Sequence, residues 1–114
     1  MQRDFEPDPR SARLVRRFVE EAVPGAPNLD QIVLVASELA SNVIRHATKP
    51  FIVRILTHEN LIRLEVSDGY SIVPAIETLV EYRGLRMIES VSQRWGADTT
   101  ETGKTIWAEF TNTP

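Results

Sequence analysis

The residues best suited to chemistry lie within one stretch of the chain, Ser37 to His46. Helical periodicity places Glu38, Asn42 and His46, each four residues apart, on one line that flanks the apolar stripe of a helix. The amide oxygen of Asn42 suits Mg²⁺, which prefers hard oxygen ligands and retains water and phosphate oxygens. Glu38, one turn earlier, could orient a hydroxyl or water for attack on a phosphoryl group. The alternative, that these side chains merely border the core, is slightly favoured by spacing alone.

A second candidate is the carboxylate at the end of a predicted strand. Ile62, Leu64 and Val66 must face the core, and Asp68 has the same parity, so it should also point inward. A buried carboxylate needs a hydrogen-bond donor, for which the exocyclic amine of a bound adenine is one candidate. Gly69 would let a base approach the backbone. The alternative, that Asp68 and Gly69 only form a tight turn, is weakened because the following residues lack the alternation of a returning strand.

The period of the apolar residues predicts the elements that position these side chains. A short edge strand is predicted around Phe5, and two helices follow it. Asn28 and Gln31 match the reciprocal capping pattern at the start of the second helix. The predicted helices run from Asp8-Pro9 to near Pro24-Gly25 and from Asn28 to about His46.

After residue 50 the period changes to that of strands, with a hairpin turn at 58–60 and a loop at 70–82. The spacing of Leu85, Ile88, Val91 and Trp95 predicts a third helix that ends at Gly96. This order favours an α+β, two-layer sandwich in which helices cover one face of a mostly antiparallel sheet. The predicted strands are Phe51 to Thr57, Leu61 to Ser67 and Thr105 to Phe110.

Length and composition exclude several classes of protein. A chain of 114 residues is expected to form one domain over residues 1–114. Sixteen acidic against 13 basic residues give a net charge of -3, which argues against a nucleic-acid partner. The lack of cysteine excludes disulfides and thiolate chemistry and fits the cytoplasm. The longest apolar run, Ile32 to Ala36, is far shorter than the roughly 20 residues of a membrane span, so no membrane association is expected.

Two further patterns have ordinary explanations. Gly103-Lys104-Thr105 ends like a phosphate-binding P-loop, but the spacing is wrong and a strand, not a helix, is predicted to follow. Arginines 13, 16 and 17 precede two glutamates at helical spacing, which favours solvated salt bridges, with an acidic protein partner as the alternative. The residues concerned are Arg13, Arg16, Arg17, Glu20 and Glu21.

Taken together, the chain resembles the Bergerat-type ATP-binding fold of gyrase and sensor histidine kinases, and most closely the small bacterial anti-sigma factor serine kinases. The resemblance covers nearly the whole chain and rests on an ordered set of motifs. These are the opening Phe5-Glu6-Pro7-Asp8-Pro9, an N-box at Ser37 to Ala47, glycine boxes at Val66-Ser67-Asp68-Gly69 and Arg83-Gly84-Leu85-Arg86-Met87-Ile88, and the closing Gly103-Lys104-Thr105-Ile106-Trp107.

The resemblance implies ATP and Mg²⁺ as cofactors and assigns roles by position. Glu38 would be the catalytic base, Asn42 the Mg²⁺ ligand and Asp68 the adenine reader. Thr105 would touch the adenine, although Lys104 could hold that place. The remaining nucleotide-binding positions are His46, Gly69, Arg83, Gly84 and Leu85, the last two at the start of a helix whose free N–H groups favour anions.

The resemblance also implies partners and an activity. Such kinases phosphorylate a serine of an antagonist protein and sequester a sigma factor, and they are often homodimers. This chain has Tyr70 and Ser71 where further glycines are usual, lacks a glycine before Arg83, and has a short lid. The alternative is therefore a non-catalytic protein-binding module that retains the fold with a degenerate lid.

Overall fold

The computed structural model describes residues 1–69 and 86–113. Within these residues, five strands form one sheet in the order β1, β2, β3, β5, β4, and each neighbouring pair is antiparallel. Residues 86–91 are also helical. The elements are β1 (Gln2–Phe5), α1 (Ser11–Ala22), α2 (Leu29–His46), β2 (Phe51–His58), β3 (Leu61–Asp68), β4 (Arg94–Thr100) and β5 (Gly103–Thr111).

The core lies between one face of the sheet and the helices. Strand residues of one parity, such as Val53, Leu64 and Phe110, are fully or almost fully buried with Phe18 of α1 and Leu39 of α2 in a single cluster. The opposite parity carries polar side chains on the outer face of the sheet. This arrangement confirms the α+β sandwich with helices on one face of an antiparallel sheet. None of the helices in the described ranges is long and apolar enough to cross a bilayer.

The first helix begins later than the sequence predicts. It starts at Ser11 and not at Asp8-Pro9, because residues 8–10 form a turn held by the Asp8 carboxylate. That carboxylate accepts hydrogen bonds from the backbone N–H of Arg10 at 2.9 Å and from the Arg10 guanidinium at 2.9 and 3.1 Å. The hydrogen bond to the side chain of Arg10 is the main reason that the pKa of Asp8 falls to about 2.

The second helix matches its predicted extent but not its predicted cap. Asn28 makes no side-chain capping bond; its Nδ2 donates to the backbone oxygen of Thr111, 2.8 Å away, at the end of β5. The backbone oxygen of Asn28 still accepts from the N–H groups of Gln31 and Ile32. The side chain therefore ties the start of α2 to the sheet.

The hairpin and the last strand follow the sequence prediction. β2 and β3 each extend one residue beyond the predicted end, and Glu59 in the intervening turn has a φ of 52°. β5 begins at Gly103, two residues before its predicted start, so Lys104 and Thr105 lie in a strand and not in a helix, which confirms that the P-loop-like sequence is not a P-loop.

The predicted third helix is wrong beyond residue 91. Trp95 and Gly96 lie in β4, which pairs with β5 at the edge of the sheet. Ile88 and Val91 do belong to a helical segment, and Leu85 falls outside the described residues. Trp95 lies opposite Ala108 and packs against the core, so its apolar character reflects the inward side of a strand. A four-residue spacing fits either explanation because it is even and also close to one helical turn.

The outer face of the sheet carries a chain of ion pairs that runs across four strands. Arg63 contacts Glu65 at 2.8 Å and Glu109 at 3.0 Å, and Arg94 contacts the other oxygen of Glu109 at 3.0 Å. Arg54 completes the chain at Glu65, 3.1 Å away. Although burial alone would lower it, these hydrogen bonds to Glu65 and Glu109 raise the pKa of Arg63 overall.

Candidate functional site

The line of polar residues on α2 runs from the core layer to solvent. Asn42 is buried, with 9% of its surface exposed, whereas Glu38 is half-buried and His46 is exposed. Leu39, three residues earlier and on the same face of α2, is a core residue, so Asn42 borders the layer between α2 and the sheet. The sequence prediction that these residues border the core is confirmed for Asn42 and agrees with the half-buried Glu38, but it is wrong for His46, which faces solvent at the end of the helix.

Arg45, which the sequence did not single out, contacts the predicted site residue Asn42. Its Nη2 donates to Oδ1 of Asn42 at 2.6 Å, and its Nε lies 3.4 Å from the backbone oxygen of Ser41. The i, i+3 spacing of Asn42 and Arg45 was the signal available in the sequence. The proposed metal-binding oxygen of Asn42 therefore has a cationic partner on its own helix.

Asp68 points inward at the end of β3, as its parity predicts. Its side chain is 3% exposed, and its Oδ2 lies 3.8 Å from Nζ of Lys104, whose side chain is 7% exposed. The two residues are opposite each other in the β3–β5 register. A buried carboxylate is thus placed beside a buried ammonium on the helix-covered face.

The pairing register of β3 and β5 decides which of Lys104 and Thr105 lies on the same face of the sheet as Asp68. Thr105 lies opposite Ser67, and their hydroxyl oxygens are 2.7 Å apart on the face of the sheet away from Asp68. Since successive side chains of a strand alternate between faces, Lys104 and not Thr105 shares the face of Asp68. The contact of Thr105 with a base remains a prediction, and its placement favours Lys104 for that position.

Chain topology brings the α2 residues and Asp68 to the same end of the molecule. β2 begins at Phe51, five residues after α2 ends at His46, and its residue Ile52 pairs with Ser67 near the end of β3. The end of α2, the end of β3 and the start of β5 therefore lie at the same end of the layer between helices and sheet. This edge, with Glu38, Asn42, Asp68 and Lys104, is termed the polar edge below.

Four predicted site residues are not among those at the polar edge. Gly69 is exposed, and Arg83, Gly84 and Leu85 lie outside the described residues. The loop predicted at 70–82, which would form the lid, lies outside them as well. In residues 1–69 and 86–113, no group of three or more histidine, cysteine or acidic side chains could hold a metal ion. A metal at the polar edge would therefore depend on the Asn42 oxygen and on oxygens that a ligand supplies.

The arginine cluster of α1 differs from the favoured sequence interpretation. Arg13, Arg16 and Arg17 are exposed, and none of them forms an ion pair within the part of the chain that the structure describes. The predicted salt bridges to the glutamates one turn later are thus absent there. The three arginines of α1 are therefore exposed on the same helix as Glu20 and Glu21 but are not held in ion pairs with them.

Comparison with solved structures identifies the architecture. No protein-family model and no curated protein sequence matches the chain. The structure of the RsbU and RsbW domains of Rv1364c from Mycobacterium tuberculosis matches over 100% of this chain with a TM-score of 0.73 and 20% identity. The chain has the Bergerat-type fold. It spans only 33% of that longer protein.

Two histidine kinase structures share the Bergerat-type fold with this chain. The histidine kinase domain of the blue-light activated kinase EL346 from Erythrobacter litoralis matches 91% of the chain, with a TM-score of 0.61 and 14% identity, and the chain spans 60% of it. The catalytic domain of the histidine kinase ThkA matches 100% of the chain, with a TM-score of 0.58 and 18% identity, and the chain spans 97% of it. At these identities the likeness concerns the fold.

Proposed function

We propose that this chain is an ATP-binding regulatory protein of the anti-sigma type, with its nucleotide site at the polar edge. The observation that carries the proposal is the inward-facing carboxylate of Asp68, buried at the same end of the fold as Asn42. The Asp68 carboxylate can accept a hydrogen bond from a ligand that brings a donor, and an adenine amine is such a donor. The resemblance of the sequence motifs and the Bergerat-type fold support the same conclusion.

The side chains present fit a nucleotide with Mg²⁺. Asp68 would accept from the base, and the buried amide oxygen of Asn42 is a hard donor of the kind that Mg²⁺ binds. Bound Mg²⁺ would supply charge neutralisation to the phosphates. Arg45 donates to this same oxygen, so its guanidinium would have to release Asn42 to Mg²⁺ and could then pair with a phosphate oxygen. These contacts bind and orient; they do not by themselves transfer a phosphoryl group.

The kinase form of the proposal assigns the proton transfer to Glu38. Its half-buried carboxylate would accept the proton of a serine hydroxyl while the serine oxygen bonds to the γ-phosphorus. The bond between that phosphorus and the bridging oxygen breaks, and ADP leaves. The serine would belong to an antagonist protein, and release from that antagonist would control capture of a sigma factor.

Calorimetric titration of ATP with Mg²⁺ tests the nucleotide site. Asn42→Ala should weaken Mg²⁺-dependent binding of ATP by about tenfold or more. Asp68→Asn should weaken the binding of ATP without changing the affinity for inorganic tripolyphosphate. Asn112→Ala, an exposed asparagine beyond β5, is the matched control and should bind as wild type does. Failure of the wild-type protein to bind ATP would reject the proposal.

The kinase step needs a separate measurement. Glu38→Ala should bind ATP as tightly as wild type but lose phosphoryl transfer to a purified serine-bearing antagonist, by about a hundredfold or more. Equal transfer by the variant would remove Glu38 from the role of base. Binding without transfer in the wild-type protein would leave nucleotide binding intact and reject the kinase form.

A second candidate function is a protein-binding module without catalysis. The exposed arginines of α1 favour it, because they form no ion pair within residues 1–69 and 86–113 and their charge is available to an acidic protein surface. Arg16→Glu should weaken binding to members of a panel of purified sigma factors and antagonists, whereas Lys49→Glu, an equal charge change on another exposed residue, should not. Binding that is the same with and without Mg²⁺ and ATP would favour this module over the kinase.

A further inference from the structure

The pair formed by Asp68 and Lys104 is the least expected feature of the polar edge. Both side chains are more than nine-tenths buried, and a buried ammonium is costly unless a negative group lies nearby. Their separation of 3.8 Å is longer than a hydrogen bond, so the attraction between these two atoms is that of two charges. The carboxylate therefore already has a cation beside it before any ligand arrives.

Backbone geometry fixes this pairing. A Cβ on Gly103 would overlap the backbone oxygen of Asp68, so only glycine allows β5 to begin this close to the end of β3. Lys104 follows directly and lies opposite Asp68 in the register. The ammonium is therefore delivered to Asp68 by the strand pairing itself and not by a mobile surface side chain.

We infer that Lys104 competes with the nucleotide base for Asp68 and so determines how tightly the site binds ATP. The inference rests on the proposed function, in which Asp68 accepts the adenine amine. A base that approaches Asp68 must share the carboxylate with the ammonium or displace it. Displacement leaves a buried positive charge further from its negative neighbour, which opposes binding.

Loss of the Lys104 charge should change the stability of the protein and its affinity for ATP in opposite directions. Loss of the Lys104 charge removes the cation from beside Asp68, which should destabilise the protein without ligand. Without the neighbouring ammonium, the Asp68 carboxylate gains more free energy from the hydrogen bond that the adenine amine donates, which should strengthen ATP binding. A purely structural lysine would lower stability without improving affinity.

The test compares Lys104→Met with Lys49→Met, which removes the only other lysine, an exposed one. ATP with Mg²⁺ and tripolyphosphate with Mg²⁺ are titrated separately under the same buffer conditions. Lys104→Met should bind ATP about tenfold more tightly than wild type and melt at a lower temperature without ligand. Its affinity for tripolyphosphate, which has no base, should not change. Lys49→Met should show no gain for ATP.

Two further variants separate charge from packing. Lys104→Arg keeps the positive charge and should bind ATP as weakly as wild type, whereas Lys104→Gln should reproduce the gain if the methionine variant fails to fold. ATP binding by wild type with no gain in the neutral variants would overturn the role of Lys104 alone. No ATP binding by wild type or by any variant would overturn this role and the proposed nucleotide site together.

Discussion

Asp68 shows how far a single residue can be predicted from its sequence position. Its inward direction follows from strand parity, because the alternation of Ile62, Leu64 and Val66 extends to it. Its partner does not follow from parity, because which residue of β5 lies opposite depends on the register of a strand some 35 residues later. The sequence accordingly left Lys104 and Thr105 as alternatives, and pairing of the strands decides which shares the face of Asp68.

Alanine substitutions at the two glycines that flank the pair of Asp68 and Lys104 should have different costs. Gly103→Ala should destabilise the protein by about 3 kcal/mol, because the added Cβ would meet the backbone oxygen of Asp68, which cannot move independently of β3. Gly69→Ala should cost only about 0.5 kcal/mol, since its Cβ would lie an ordinary 3.7 Å from the backbone oxygen of Thr102. Urea unfolding of both variants measures the difference, and equal costs would contradict the close approach at Gly103.

At the scale of elements, the helices and central strands are predictable and the edge strand β4 is not. α2 and the β2–β3 hairpin have long, consistent periods and apolar inward faces. β4 has alternate residues such as Arg94, Gly96 and Asp98 on the outer face, and only two inward positions are apolar before residue 98. Its identity as a strand depends on pairing with β5, which local sequence does not encode.

Gly96 has its place in β4 because of an aromatic ring on the neighbouring strand. It lies opposite Trp107, and a Cβ at Gly96 would be 2.6 Å from the indole. The same ring carries the Arg63 guanidinium 4.2 Å from its centroid, so the indole is held between the glycine and the cation. Gly96, which the sequence suggested as the end of a helix, instead leaves room in the sheet for the indole of Trp107 because it has no side chain.

This packing reverses the usual effect of replacing a strand glycine. Alanine normally suits a strand better than glycine, yet Gly96→Ala should cost about 1 to 3 kcal/mol because the indole must leave its contact with Arg63. In a Trp107→Ala background the same substitution should be neutral or stabilising. A double-mutant cycle in urea measures this coupling, and additive effects of the two substitutions would show that the indole does not occupy the space over Gly96.

At the scale of the whole molecule, charge is distributed very unevenly for a chain with a net charge of -3. The outer face of the sheet compensates its own charges through Arg63, Glu109 and their neighbours. The polar edge compensates Asp68 with Lys104 inside the fold. The exposed arginines of α1 differ from both, because no ion pair forms with them in the described residues. Of these three groups of charged residues, the arginines of α1 are therefore the most accessible to a charged partner molecule.

Ligand binding at the polar edge should stabilise the whole fold, because the site joins α2, β3 and β5. A ligand that binds only the folded state adds about 2.7 kcal/mol at a concentration 100 times its Kd. The melting temperature of wild type should therefore rise with the concentration of ATP in the presence of Mg²⁺, and Asp68→Asn should reduce that rise.

The control is Asn28→Ala, which removes the hydrogen bond between the start of α2 and Thr111 at the other end of the molecule. It should lower the melting temperature without ligand while leaving the increase caused by ATP unchanged. A loss of the ATP response in Asn28→Ala as large as in Asp68→Asn would mean that the response does not report binding at the polar edge.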